Sequence, residues 1–347
     1  MRGFDEYKRL GEPDKKEKLG IWQTAIGLQD VDGLKTSDYL IEAAKQNIDG
    51  IISIGEVKER LTAYYKTKEK QIDNDRTEEA DKVSAHIAEI LAEKTFTFSP
   101  AELVSIHRRL FTGIYELAGT IRNYNITKEE WVLDGDTALY ASFDSIRETL
   151  DYDFVQEKKF NYKGLSIKKK IEHIADFISG IWQIHPFGEG NTRTTAVFLI
   201  KYLRSMGFIV SNDLFAEHSW YFRNALVMAN CNRHVMGNYP TTEYLLKFFG
   251  NLLLGERNML RNRDMRMRTK ADNDSDENKV QNKVQNKVQK DILKVLAKNP
   301  NIKQKELAET IGKSERTIKT IMSEMQKQNL ITRSGSKKTG YWKITAI

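Results

Sequence analysis

Apolar residues recur three or four positions apart along much of this chain. The run Ile167, Ile171, Ile174, Ile178, Ile181, Trp182 has the spacing of one buried helix face. The pattern predicts a mainly helical protein with little strand. The exception is Arg122 to Asp136 (RNYNITKEEWVLDGD), whose β-prone residues and Asp-Gly turn signal predict a short hairpin or extended loop. A helix break is also predicted at His185: Pro186 lacks an amide hydrogen and disfavours helical geometry in the residue before it. A new helix is expected from about Thr192 to Met206.

Two charged, aperiodic stretches interrupt the pattern, Thr67 to Arg76 and Arg261 to Glu277, and both have the composition of solvated breaks. After the second comes a Val-Gln-Asn-Lys repeat at Val280, Val284 and Val288, four apart and so on one helical face. At 347 residues the chain exceeds one ordinary domain of roughly 100 to 200 residues. We divide it into 1–72, 73–260, a linker 261–288, and 289–347. The last part predicts a helix to Lys298 with Ile292, Leu293, Val295 and Leu296 inward, a second from Gln304 to Ile311, and a turn at Gly312. A third helix follows, capped by Ser314 and running through Asn329, and then strand, turn and strand from Leu330 to Ile344.

Composition narrows the class. With 40% hydrophobic and 30% charged residues and five prolines, the chain is neither disordered nor collagen-like. Cys231 is the single cysteine, which excludes a disulfide framework and zinc fingers and suits a reducing cytosol. No apolar run approaches the roughly 18 residues that span a bilayer. The start, Met1-Arg2-Gly3-Phe4-Asp5, offers no export signal, so a cytoplasmic protein without membrane contact is expected. The net charge of +7 is uneven: Lys279 to Ile347 carries 16 Lys and Arg against 5 Asp and Glu, leaving 39 against 43 elsewhere. A basic tail on an acidic body places any polyanionic partner at the tail.

The densest chemistry lies in His185-Pro-Phe-Gly-Glu-Gly-Asn-Thr-Arg193. Gly188 and Gly190 free the backbone, and the helix that follows turns its unpaired amides and positive dipole end towards the loop, an anion cradle suited to phosphate. Arg193 adds a forked donor. Glu189 would repel a bare phosphate, and a magnesium ion between them removes the conflict. His185, with an ordinary pKa of about 6.5, suits proton acceptance from a hydroxyl. Phe187 is expected in the core, pinning the loop. No lysine stands where a Walker loop needs it, and no second histidine completes a His-Glu-x-x-His zinc site.

This motif resembles the Fic signature His-Pro-Phe-x-Asp/Glu-Gly-Asn-Gly-Arg-x-x-Arg, matching at His185, Pro186, Phe187, Glu189, Gly190, Asn191 and Arg193. The segment His107 to Arg122 (HRRLFTGIYELAGTIR) is similar to the family's approach to its flap, and the resemblance covers about residues 75 to 258. It implies an all-helical core with a small flap hairpin, and transfer of AMP from MgATP to a Ser, Thr or Tyr hydroxyl of a target protein or of the chain itself. It implies His185 as general base, Glu189 as magnesium ligand, and ATP held by Gly188, Gly190, Asn191, Thr192, Arg193, Tyr221 and Asn230. Ile126, Thr127, Lys128 and Glu129 would be the target-binding flap, pairing with target backbone as an added strand. Two positions depart: Thr192 replaces a glycine, and Ala196 replaces the second arginine. Phosphoryl transfer or AMP removal at the same site therefore stay open. So does a DNA-binding regulator whose core only senses nucleotide.

Residues 22 to 65 look similar to the small helical antitoxins of the VbhA type that clamp Fic domains. Asp32 before Gly33, or Asp49 before Gly50, would stand where the inhibitory glutamate belongs, shortened and unsupported, and with Ala196 its partner arginine is missing. This implies a docked scaffold that leaves ATP unblocked. The tail resembles a winged helix-turn-helix, implying DNA as partner. Arg316, Thr317, Lys319 and Thr320 would face the major groove, and Lys337 and Lys338 would meet phosphates from the wing. A homodimer stays open.

Overall fold

The computed structural model describes residues 13–67, 74–210, 213–231, 240–266, 289, 291–327, 330–334 and 341–345. The repeat valines Val280, Val284 and Val288, the wing lysines Lys337 and Lys338, and the side chain of Arg316 lie outside the described residues. The chain divides into two compact units, 1–267 and 268–347.

The first unit is helical: α1 (Pro13–Gly27), α2 (Asp38–Ile48), α3 (Ile54–Thr67), α4 (Asn74–Ala92), α5 (Pro100–Phe111), α6 (Ile146–Lys159), α7 (Ile167–Ile184), α8 (Asn191–Ser205), α9 (Asp213–Ala229) and α10 (Glu243–Leu254). Local chemistry sets several starts. Ser37, Ser99 and Ser166 accept hydrogen bonds from Leu40, Glu102 and Lys169 amides at the heads of α2, α5 and α7, and Pro100 occupies the first turn of α5, where its missing amide costs nothing. At the centre runs α8, with every residue from Asn191 to Leu203 buried. A helix covered on all sides is the core of a larger bundle. Lys201 on it is buried and donates to the carbonyls of Ile90 (3.0 Å) and Glu93 (2.9 Å), placing a cation at the negative end of α4.

Helices α1 to α3 share this same core. Helix α1 crosses α9 so closely that a Cβ on Gly27 would lie 2.4 Å from the Ala216 Cα, and Ser219 donates to the Gly27 carbonyl at 2.7 Å. The buried carboxylate of Asp81 on α4 accepts from the Ser37 amide (2.8 Å) and the Tyr65 hydroxyl (2.7 Å). A short 3-10 turn, Leu28–Asp32, ends at Gly33 with φ 67° and delivers Asp32 to the middle of the unit.

The expected flap hairpin forms as an extended loop, with no strand assigned among its described residues. Two backbone hydrogen bonds close it, Glu130 N to Asp136 O at 2.8 Å and Gly135 N to Glu130 O at 3.1 Å, over an Asp134-Gly135 turn with positive φ at both residues. The amide of Lys128 donates to the Thr137 side chain (3.3 Å), so the ladder stops there.

The second unit has its own core of Ile292, Leu296, Leu307, Ile318, Met322, Met325, Ile331 and Trp342. Residues 291–298 form α11, followed by α12 (Gln304–Ile311), α13 (Glu315–Lys327), β1 (Ile331–Ser334) and β2 (Tyr341–Ile344). The strands pair antiparallel, Ile331 opposite Ile344. Ser314 caps α13, accepting from the Thr317 amide at 3.2 Å. No helix among the described residues is long and apolar enough to cross a membrane.

Candidate active site

Helix α7 ends where the Pro186 argument places the break. His185 takes φ 49° and ψ 59°, a left-handed conformation costing a side-chain-bearing residue about 1–2 kcal/mol, and neighbouring contacts hold it there. Its amide donates to the Trp182 carbonyl at 3.1 Å, and its Nδ1 lies 3.0 Å from the same oxygen. A carbonyl only accepts, so Nδ1 carries the hydrogen and Nε2 the free lone pair. Arg122, itself buried, wraps the bend: Nε donates to His185 O (2.8 Å), Nη1 to Tyr124 O (2.6 Å), Nη2 to Ala141 O (2.5 Å), and its amide to Pro186 O (2.9 Å). The imidazole is 3% exposed. Burial, and then the cations of Lys128, Arg223 and Arg122, hold its pKa well below the ordinary histidine value, so it is neutral at pH 7.

The loop that follows is fixed from inside. Phe187 stacks on His107 with ring centroids 3.7 Å apart. His107 Nδ1 accepts from the Gly119 amide (2.8 Å), so its Nε2 donates to the Glu189 carbonyl (3.0 Å). Burial pushes the His107 pKa down to about 4. Asn191 reaches back to Phe187, accepting from its amide (3.0 Å) and donating to its carbonyl (2.7 Å). Both polar ends of this expected phosphate ligand therefore shape the loop. Gly190 has φ 75°, and a Cβ there would lie 2.3 Å from the Phe111 ring. A Cβ on Gly188 would meet the Tyr124 hydroxyl at 2.6 Å. Thr192 accepts from the Trp182 indole at 3.0 Å. The first hydrogen bond of α8 runs from Thr194 N to Gly190 O (3.0 Å), so the amides of Asn191, Thr192 and Arg193 precede the ladder and are available to an anion.

Glu189 stands at the mouth, its side chain 64% exposed, with Lys128 Nζ 3.2 Å from Oε2. In the flap, Thr127 and Glu129 are exposed and Ile126 and Lys128 half-buried. Its root is anchored by buried Glu130, which pairs with Arg223 (2.6 Å) and accepts from the Tyr140 hydroxyl (3.0 Å). Tyr140 in turn packs on the His185 ring at 4.2 Å. A cavity of about 550 Å³ opens beside the loop, bounded by His107, Tyr115, Arg122, Tyr124, Gly188 and Glu189.

Arg193 turns towards the N-terminal segment. Its guanidinium is 1% exposed; both Nη atoms are engaged by neighbours, while Nε is buried without a hydrogen-bond partner. Nη2 meets Asp32 Oδ2 (2.8 Å), Glu79 Oε1 (2.7 Å) and the Tyr115 hydroxyl (3.1 Å), and Nη1 donates to Gln29 Oε1 (3.0 Å). The group lies 4.8 Å over the Phe111 ring. Burial opposes its charge, and Asp32 and Glu79 outweigh burial, so its pKa is raised. Asp32 is thus supported, by the first signature arginine in place of the missing second one. Ala196, one turn on, is 0% exposed.

The expected adenosine contacts are packed. Tyr221 and Phe222 are 1% and 0% exposed, core residues of α9. Asn230 donates to Ser179 Oγ (3.0 Å) and Leu226 O (2.9 Å), tying α9 to α7. In the second unit Thr317, Lys319 and Thr320 are exposed on α13, with Lys319 2.8 Å from Glu315. Sequence reading assigned no role to Arg122 or His107. Their contacts to the loop span 63 and 82 residues, and no local spacing announces such pairs.

Two family profiles match the chain, Fic/DOC family over residues 97–203 and winged helix-turn-helix DNA-binding over residues 285–332. A protein adenylyltransferase of Bartonella henselae is 27% identical over 146 residues, 38% of this chain and 26% of that protein. The protein adenylyltransferase VbhT of Bartonella schoenbuchensis is 26% identical over 116 residues, 33% of this chain and 23% of that protein. The matched stretches thus span about a quarter of these relatives. Among solved structures, the BepC protein of Bartonella tribocorum with bound AMPPNP is 23% identical, covering 53% of this chain and 88% of that one, with a TM-score of 0.41. The chain therefore carries a Fic/DOC domain over residues 97–203, followed by a winged helix-turn-helix over residues 285–332.

Proposed function

We propose that this chain is a protein adenylyltransferase of the bacterial cytosol, moving AMP from ATP to a Ser, Thr or Tyr hydroxyl of a target protein or of itself. The observation that carries the reading is the imidazole of His185, its Nδ1 on Trp182 O, seated directly before the amides of α8 that precede its hydrogen-bond ladder. In the reaction the hydroxyl oxygen bonds to the α-phosphorus, the bond to the bridging oxygen breaks, pyrophosphate leaves, and the hydroxyl proton passes to Nε2. A base so placed contributes roughly 10² to 10⁴ in rate. The low pKa keeps Nε2 unprotonated at rest, and the arriving polyphosphate offsets the cations that depress it.

Magnesium fits the donor set as a partner of the nucleotide. The described residues hold no cluster of three or more ligating side chains, whereas Glu189 offers one exposed carboxylate that already attracts a cation, and magnesium commonly takes one carboxylate plus substrate phosphates. Bound there, it would neutralise phosphate charge. The flap, with Thr127 and Glu129 exposed, would align the target backbone, and α13 of the winged helix would meet DNA. The paired Arg193 implies a resting state of low activity. ATP labelled at the α-phosphate should label protein, and label from the γ-phosphate should not. Transfer of γ label would overturn the reading in favour of phosphoryl transfer.

A further inference from the structure

Among the described residues, four cations surround the signature loop, and three are committed. Arg122 donates to backbone carbonyls, Arg223 holds buried Glu130, and Arg193 is shared by Asp32 and Glu79. Ala196 supplies none. Lys128 differs: it reaches from the flap to Glu189, 3.2 Å away, and its partner's side chain is 64% exposed. Such a pair is cheap to break. The backbone of Glu189 is meanwhile held by His107 at 3.0 Å, so the carboxylate is fixed at its root while its charge is shared with the Lys128 ammonium. Lys128 is also the largest charge contribution to the depressed pKa of His185, so its ammonium is felt at the imidazole.

We propose that Lys128 is a positioning residue that occupies the cation place beside Glu189 in the resting protein and passes to the phosphate oxygens when a divalent metal takes that carboxylate. The proposal rests on the ATP site above. It predicts competition between ammonium and metal for one carboxylate, and coupling of the flap to nucleotide, because the released side chain carries the flap backbone towards the phosphates. Mn²⁺ is the probe, titrated into the full chain with saturating non-hydrolysable ATP analogue and followed by electron paramagnetic resonance.

Lys128→Gln should bind Mn²⁺ about two- to fivefold tighter than the parent chain, the factor expected from releasing an exposed ion pair, while binding the metal-free analogue more weakly. Lys128→Arg should stay near the parent value. Glu189→Gln should weaken Mn²⁺ binding, and adding Lys128→Gln to it should change Mn²⁺ affinity no further. Equal Mn²⁺ affinity in the parent and Lys128→Gln, with analogue still bound, would overturn this inference and leave the adenylyltransferase reading standing. Equal tightening with and without Glu189 would also overturn it, by showing charge acting at a distance. Failure of every variant to bind analogue would sink both.

Discussion

Asp32 Oδ2 lies 2.8 Å from Nη2 of Arg193, joining the 3-10 turn after α1 to the head of α8. The arginine that would neutralise phosphate charge is thus held by the N-terminal segment. A scaffold indifferent to the site would not need this contact.

Replacing Asp32 with Asn should therefore raise ATP affinity and α-phosphate transfer together, because the guanidinium loses one of its two carboxylates. The same change should destabilise the unit by about 1–3 kcal/mol, the worth of a charged hydrogen bond. Calorimetry beside a transfer assay reads both. Unchanged transfer with lowered stability would restore the scaffold reading.

His185→Ala should abolish transfer and spare nucleotide binding, since the ring contacts Trp182 and Tyr140 and the phosphate cradle is made by backbone. In the parent chain the acid limb of kcat/KM should fall below pH 6.5. The base must be unprotonated, and burial has lowered the pKa at which it protonates.

Gly190→Ala should be severe. It places a side chain at φ 75° and a Cβ 2.3 Å from Phe111, which together cost about 2–5 kcal/mol. Adding Phe111→Ala would relieve the overlap and leave the conformational strain, so thermal melts should show partial rescue at best.

His107 makes stability depend on pH with a known sign. Its folded pKa of about 4 lies below the unfolded value near 6.5, so the unfolded chain binds the proton first. Stability is complete above about pH 6.5 and lost as pH falls towards 4, by up to about 3 kcal/mol. Unfolding free energies of His107→Gln should show a shallower fall over that interval than those of the parent.

The second unit should bind duplex DNA with an affinity that drops steeply with added salt, as phosphate neutralisation by lysine and arginine demands. A salt-insensitive interaction in a titration from low to physiological ionic strength would favour a protein-docking role.

What the sequence displayed was local. The break at His185-Pro186, the Ser314 cap and the Asp134-Gly135 turn each follow from neighbouring residues, and so do the helices of the winged domain. The signature loop was legible as a motif, though the use of its side chains was not. Asn191 turns inward to Phe187, and Arg193 turns to Asp32 and Glu79, because packing between distant helices decides where a polar group finds its partner. His107 and Arg122 were hidden for the same reason. Tyr221 carries the same aromatic character whether it faces a ligand or the core, and only burial separates the two.

Ala196 has no exposed surface. A guanidinium placed at that position would have to displace close-packed neighbours and shed its water, so Ala196→Arg would unsettle α8 before it strengthened any grip on phosphate. A large cation can therefore be seated at this position only in a variant whose surrounding side chains have first been made smaller.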